Sequence, residues 1–325
     1  MEALILADRL GEELAPLDGY DCPGLLPVAG KAVLEHCLED LWEAGVRAAA
    51  VAFPATHPHL PSRIGDGSRF GIQLRYLRTT GESWPAEVIS RAGLRADRVL
   101  LVRGDIMRGR CARLVRDAAA RHSTGCVHGL IGRSHAGVAI CSPGDRTVSC
   151  LDWALLRESH MPAAMPAIGI YHAGFSLMDS PAAWHRAGML ALAGHFRGIL
   201  PAGRASDDGT LVRGPQSSIA RSVVIEGQAR IGSGANLRDD VVLAGHVDIG
   251  DGCVIDSGAE ISDSVVLPGT YVGRGVRLRN AIACGSWLLR LDLGTSEQVD
   301  DPLLLDGLRG GRAQAASRPT ASTSA

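Results

Sequence analysis

The sequence predicts an α/β domain built on a mixed, mainly parallel sheet, followed by a parallel β-helix. Three observations carry this. Apolar strand-like segments alternate with amphipathic helical ones across residues 1–205. An aliphatic residue recurs at every sixth place from Ile219 onward. The chain has 325 residues, more than one hydrophobic core usually organises.

The alternation begins with "EALILA", a buried strand by its unbroken apolar run. "GKAVLEHCLEDLWEAGV" reads as an amphipathic helix with Val33, Leu34, Cys37, Leu38, Leu41 and Trp42 on one face. "RAAAVAF", "IQLRYL" and "RVLLVRGD" read as further strands. Such alternation points to a parallel sheet covered by helices. In these sheets ligands bind at the carboxyl ends of the strands. The site is therefore expected where "LILADRLGEELAPL" (residues 4–17) leaves the first strand and where "VLLVRGD" ends.

The second half is periodic. Ile219, Ile225, Ile231, Leu237, Leu243, Ile249, Ile255, Ile261 and Leu267 follow at a spacing of six. Four places after each comes a compact residue, with Tyr271 the large exception. After one deletion the pattern resumes at Val272 and Leu278. This is a hexapeptide repeat, whose triangular coils stack with the aliphatic residue pointing inward. The expected layout is an α/β domain over 1–205, a linker over 206–216, a β-helix over 217–285, a capping helix over 286–309 and a disordered tail over 310–325. The tail is small and polar, which suits disorder.

Composition narrows the function. Hydrophobic residues make up 46% and charged residues 21%, as in ordinary globular proteins. A net charge of −2 gives no reason to expect nucleic acid or a membrane surface as partner. No membrane span or signal peptide is read. The eight cysteines are scattered with no C-x-x-C pair, which suggests reduced, buried thiols, no structural zinc and a cytoplasmic protein. His57 and His59 in "HPH" lack a third ligand and read as surface residues.

Several stretches resemble the sugar-phosphate nucleotidyltransferase family: "ALILA", "LLPVAGKAVLEH", "IGDGSRFGIQLRYL", "LLVRGD" and "IGIYHAGF", spread over residues 3–175. The resemblance implies a Rossmann-like nucleotidyltransferase domain and a left-handed sense for the β-helix. It also implies a reaction joining a nucleoside triphosphate to a sugar-1-phosphate with release of pyrophosphate, aided by Mg²⁺. By position it implies substrate contacts at Leu6, Ala7, Asp8, Gly11, Gly104 and Gly169, and a metal-holding carboxylate at Asp105.

The chemistry-bearing positions depart from the family. Its loop reads G-G-x-G-T-R-L-x-P-L. Here Ala7 and Asp8 replace the paired glycines, where a side chain blocks close approach to the nucleotide. Glu13 replaces the arginine that grips the triphosphate. At ~4 Å and an effective dielectric near 20, one such pair is worth about 4 kcal/mol, with its sign reversed here. The lysine of P-K-P, which stabilises developing phosphate charge, falls at Pro23. The base-contacting L-G-T-A-G becomes "SWPAEV", with Trp84 and Glu87. The asparagine of N-x-G-I-Y falls at Ala167.

The expected function is a nucleotidyltransferase-like protein with lost or weak catalysis. It would act as a regulatory or scaffolding subunit in sugar-nucleotide or polysaccharide metabolism. Its expected partners are a nucleotide or sugar nucleotide, and either further copies of itself or an active homologue. The alternative is an active enzyme with a rebuilt loop. There Arg9 would be the catalytic cation, helped by Arg103 or Arg108, and Asp105 would hold Mg²⁺. A hexapeptide acyltransferase is a weaker reading, because His246, the histidine of the repeat, sits at an outward position.

Overall fold

A computed structural model describes residues 1–94, 96–121, 126–142, 144–158 and 166–308. The tail expected at 310–325 lies outside these residues.

The first domain holds a seven-stranded sheet. Its strands are β1 (Glu2–Leu6), β2 (Ala48–Pro54), β3 (Gln73–Thr79), β4 (Val99–Arg103), β5 (Val127–Ile131), β6 (Ser134–Cys141) and β7 (Ala167–Gly169), in the spatial order β7-β5-β6-β4-β1-β2-β3. The pairs β1–β2, β1–β4, β2–β3 and β5–β7 are parallel, while β6 runs antiparallel to both neighbours. The unbroken apolar runs of β1 and β4 suit the centre of such a sheet, buried on both faces.

The helices α1 (Val33–Glu43), α2 (Pro85–Ala92) and α3 (Ala112–Ala119) bury one face each. In α1 that face is Val33, Leu34, Cys37, Leu38 and Leu41. Trp42, expected on it, is 49% exposed and has the Arg47 guanidinium over its ring. The buried Asp40 of α1 accepts from the backbone N–H groups of Cys111 and Ala112 and so caps the start of α3.

The second domain is a stack of coils. Partners in neighbouring coils stand 18 residues apart, as in Ile219 with Leu237 and Arg230 with Asp248. Ile231, Leu237, Leu243, Ile249, Ile255 and Ile261 form a continuous core. Two differences from the periodic reading appear. The deletion comes one hexad early: Leu243 still pairs with Ile261, but Ile249 pairs with Val266 rather than Leu267. Val266 therefore points into the coil, while Val265 and Leu267 face the first domain. A one-residue slip turns a side chain to the other face of a strand. The same slip puts Thr270 inside and frees Tyr271 to reach outward, where its hydroxyl donates to Asp256.

The boundaries also shift. Leu211–Arg213, within the expected linker, already pairs with Ala229–Ile231 as the first rung. The expected capping helix over 286–309 is not formed by its described residues. Trp287–Arg290, Thr295–Gln298 and Leu305–Gly307 are antiparallel strands that close the last coil. Backbone pairing satisfies the open edge there, which one short helix does only by covering it.

The two domains share a core. Leu14, Leu17, Trp184, Val265, Leu267 and Ile282 pack together, with Trp184 on α5 (Pro181–Leu192) once α4 (Trp153–Arg157) is counted. His185 bonds the Asp263 carbonyl at 2.8 Å. Arg230 is buried between the domains, held by Asp248, Asp251 and the Ala202 carbonyl. Six cysteines are buried and outside any disulfide. Cys126 and Cys141 are instead joined as a disulfide, against the expectation of free thiols. Among the described residues no helix is long and apolar enough to cross a membrane.

Candidate functional site

The carboxyl ends of β1 and β4 lie side by side, with Leu6 opposite Arg103 and the Gly104 N–H donating to the Leu6 carbonyl. This register brings Asp8 and Arg9 of the opening loop against Arg103 and Asp105. Four charged residues thus meet where a ligand is expected, and all four are essentially inaccessible to solvent.

Arg9 is spent on the protein itself. Its guanidinium donates to the carbonyls of Asp105 (2.7 Å), Leu177 (3.0 Å) and Met178 (3.0 Å), and to the Glu13 carboxylate. It also lies 3.6 Å from the centroid of the Trp153 ring. Burial pushes its pKa below the ordinary arginine value, opposed by Asp105 and Glu13. Glu13, read from sequence as repelling phosphate, is here the anchor of Arg9.

Arg103 holds Asp105 at two points. Its Nε lies 2.9 Å from Oδ1, and an Nη donates to Oδ2. The Arg9 backbone N–H lies 3.3 Å from the same Oδ2. Burial lowers the affinity of Arg103 for its proton, but the carboxylates of Asp105 and Asp8 outweigh it and the pKa rises. Asp8 accepts from the Ser83 N–H at 3.0 Å, and Arg103 Nη1 lies 3.7 Å from its other oxygen, Oδ1. That oxygen is buried with no hydrogen-bond partner. Burial raises the Asp8 pKa, with Arg103 pulling it down.

Mg²⁺ needs oxygen ligands with free lone pairs and a surplus of negative charge. Three of the four lone-pair positions of Asp105 are taken, by Arg103 at both oxygens and by the Arg9 N–H at Oδ2, and Arg9 and Arg103 balance the charges of Asp8 and Asp105. The residues present do not fit a Mg²⁺ ion. The guanidinium of Arg103 supplies the positive charge at Asp105 instead.

The remaining expected contacts divide. Leu6 and Ala7 are core residues with no surface to offer a ligand. Gly11 keeps a positive φ of 82°, and a Cβ there would meet the Pro23 ring at 2.8 Å. Pro23, standing where the family has lysine, thus packs against the loop rather than reaching over it. Gly104 is needed for packing, since a Cβ would lie 2.5 Å from Ile5. Gly169 stands apart on the edge strand β7, with β5 and β6 between it and β4. Arg108 is buried, donating to the Arg103 carbonyl, and is not free to act as a cation.

Two features were not read from the sequence: the pairing of Arg103 with Asp105, and Trp153. Arg103 and Asp105 are two apart in "RGD", a spacing that places both on one side of an extended chain and signals the pair. Trp153 carries no signal, because only the chain fold brings it to Arg9 from 144 places away.

No family model matches the chain. It is 25% identical over 291 residues to a glucose-1-phosphate thymidylyltransferase of Streptomyces griseus, covering 86% of this chain and 80% of that protein. A protein of the same name from Streptomyces antibioticus is 24% identical over 311 residues, covering 86% and 84%. The low-salt glycan biosynthesis nucleotidyltransferase Agl11 of Haloferax volcanii is 33% identical over 78 residues, covering 24% and 22%. A solved Bacillus anthracis protein with sucrose bound, provisionally assigned as a glucose-1-phosphate thymidylyltransferase, overlays with a TM-score of 0.47 at 14% identity. The overlay covers 58% of this chain and 95% of that one, a likeness too loose to bear on function.

Proposed function

We propose that the chain is a non-catalytic member of the sugar-phosphate nucleotidyltransferases, a regulatory or scaffolding subunit in sugar-nucleotide or polysaccharide metabolism. The observation that carries this is the two-point clasp of Asp105 by Arg103, with Arg9 sealed beneath Trp153. The carboxylate that would hold a metal is neutralised, and the loop's cation is bound to four acceptors of its own protein.

An active enzyme built on Arg9 and Asp105 would need Arg9 released from Glu13 and Asp105 released from Arg103. Breaking a buried ion pair typically costs about 3–5 kcal/mol, before any substrate is bound. An acyltransferase would need an accessible, activated histidine between coils. His246 is instead a partly exposed residue whose backbone N–H bonds Asp263. A further copy of the chain or an active homologue is the natural partner, and a cytoplasmic location accords with that role.

The test is pyrophosphate release, measured with the common nucleoside triphosphates and sugar-1-phosphates in Mg²⁺. The expected result is no release above background. Turnover of about 1 s⁻¹ or more, the scale of ordinary enzymes, overturns the proposal.

A further inference from the structure

Cys126, His128 and Cys141 meet on one face of the β5–β6 hairpin. Val127 pairs with Ile140, so Cys126 lies opposite Cys141. Cys126 and His128 are two apart and share a face. Both sulfurs and one imidazole nitrogen lie within 4.8 Å of one another, and all three residues are buried. The surroundings are apolar: Val99, Leu101, Ala139, Val148 and Leu151.

His128 is held from behind. The Gly137 N–H donates to Nδ1 of His135 at 2.9 Å, and His135 Nε2 lies 2.8 Å from Nδ1 of His128. The other nitrogen of His128, Nε2, meets, among the described residues, Thr147 Oγ1 at 3.4 Å, longer than an ordinary N–H···O bond. An imidazole oriented through one nitrogen and poorly satisfied at the other is how metal-ligating histidines are commonly presented.

We propose that Cys126, His128 and Cys141, once the disulfide is reduced, bind one zinc ion. A dithiol or phosphine reductant supplies two electrons, two protons complete the thiols, and zinc binding releases those protons as the thiolates form. Thiolate and imidazole ligands suit Zn²⁺ and Cu⁺. Two thiolates with Zn²⁺ sum to zero charge, which suits an apolar pocket, whereas Cu⁺ would leave a net negative charge buried. Binding at Nε2 moves the ring proton to Nδ1 and reverses the His128–His135 bond. The Gly137 N–H then gives up its acceptor, one hydrogen bond against two thiolate–metal bonds.

The test uses the full chain, reduced with a phosphine without oxygen, loaded with zinc and freed of excess. About one zinc per chain is expected by elemental mass spectrometry. Bound zinc should protect Cys126 and Cys141, and no other cysteine, from alkylation mapped on peptides. Cobalt in its place should show thiolate charge-transfer absorption. Cys141→Ser should abolish binding, and His128→Ala should weaken it by more than about tenfold. Cys284→Ala, outside the cluster, should leave it unchanged. Reduced thiols that bind no zinc overturn the proposal, as do a disulfide that resists reduction and zinc that persists without protecting the pair.

Discussion

Arg103 and Asp105 form a buried, two-point ion pair at the carboxyl end of β4, with Nε 2.9 Å from Oδ1 and an Nη on Oδ2. On the proposed reading, this fixed cation takes the part that a divalent ion would play beside Asp105.

Arg103→Met should therefore destabilise the protein by about 3–5 kcal/mol near neutral pH, because Asp105 and Asp8 are left buried and unpaired. The pH dependence has a definite sign. Burial already raises Asp8 above its ordinary value, so the folded state holds that proton more tightly than the unfolded one. This contribution is present at low pH and is lost as pH rises through the raised value. Removing Arg103 lifts Asp8 further. Urea unfolding should show a deficit that is largest near pH 7 and smaller near pH 5. A deficit that is constant across that range would contradict the account.

The placement of the deletion in the coil stack separates two substitutions. Val266 points into the core, so Val266→Ala should cost about 2 kcal/mol. Tyr271 faces outward with a hydroxyl bond to Asp256, so Tyr271→Phe should cost about 1 kcal/mol or less. Had Leu267 continued the inward series, Tyr271 would stand inside the coil with a buried, unbonded hydroxyl, and Tyr271→Phe would be neutral or stabilising. Denaturant titration of both variants distinguishes the two registers.

Gly30 governs the docking of the two domains. It has φ of 83°, and a Cβ there would lie 2.0 Å from the Arg230 guanidinium. Arg230 cannot retreat, since Asp248 and Asp251 hold it at 2.8 and 3.0 Å. Gly30→Ala should therefore loosen the interface and split one calorimetric unfolding transition into two. A single transition at an unchanged Tm would show that the shared core of Leu14, Leu17 and Leu267 docks the domains without this contact.

The sequence by itself determined the two-domain plan, the strand–helix alternation and the coil stack, because each rests on a local period: unbroken apolar runs, a helical face and a spacing of six. It also brought Asp8, Arg9 and Asp105 to one place, since strand ends in a parallel sheet gather at one edge. Tertiary structure decided the rest. Trp42 lies at the rim of the buried face, against Gly71 and beneath Arg47 rather than in the core. The deletion moved one hexad because pairing with the preceding coil, not the local pattern, sets which side chain points inward. The closing strands replaced a helix because an open sheet edge is satisfied best by backbone. Arg9 and Glu13 looked like a stray cation and a misplaced acid while they were read along the chain. Folding makes them partners beneath Trp153, since a buried charge is tolerated only where another residue, however distant in sequence, arrives to pair with it.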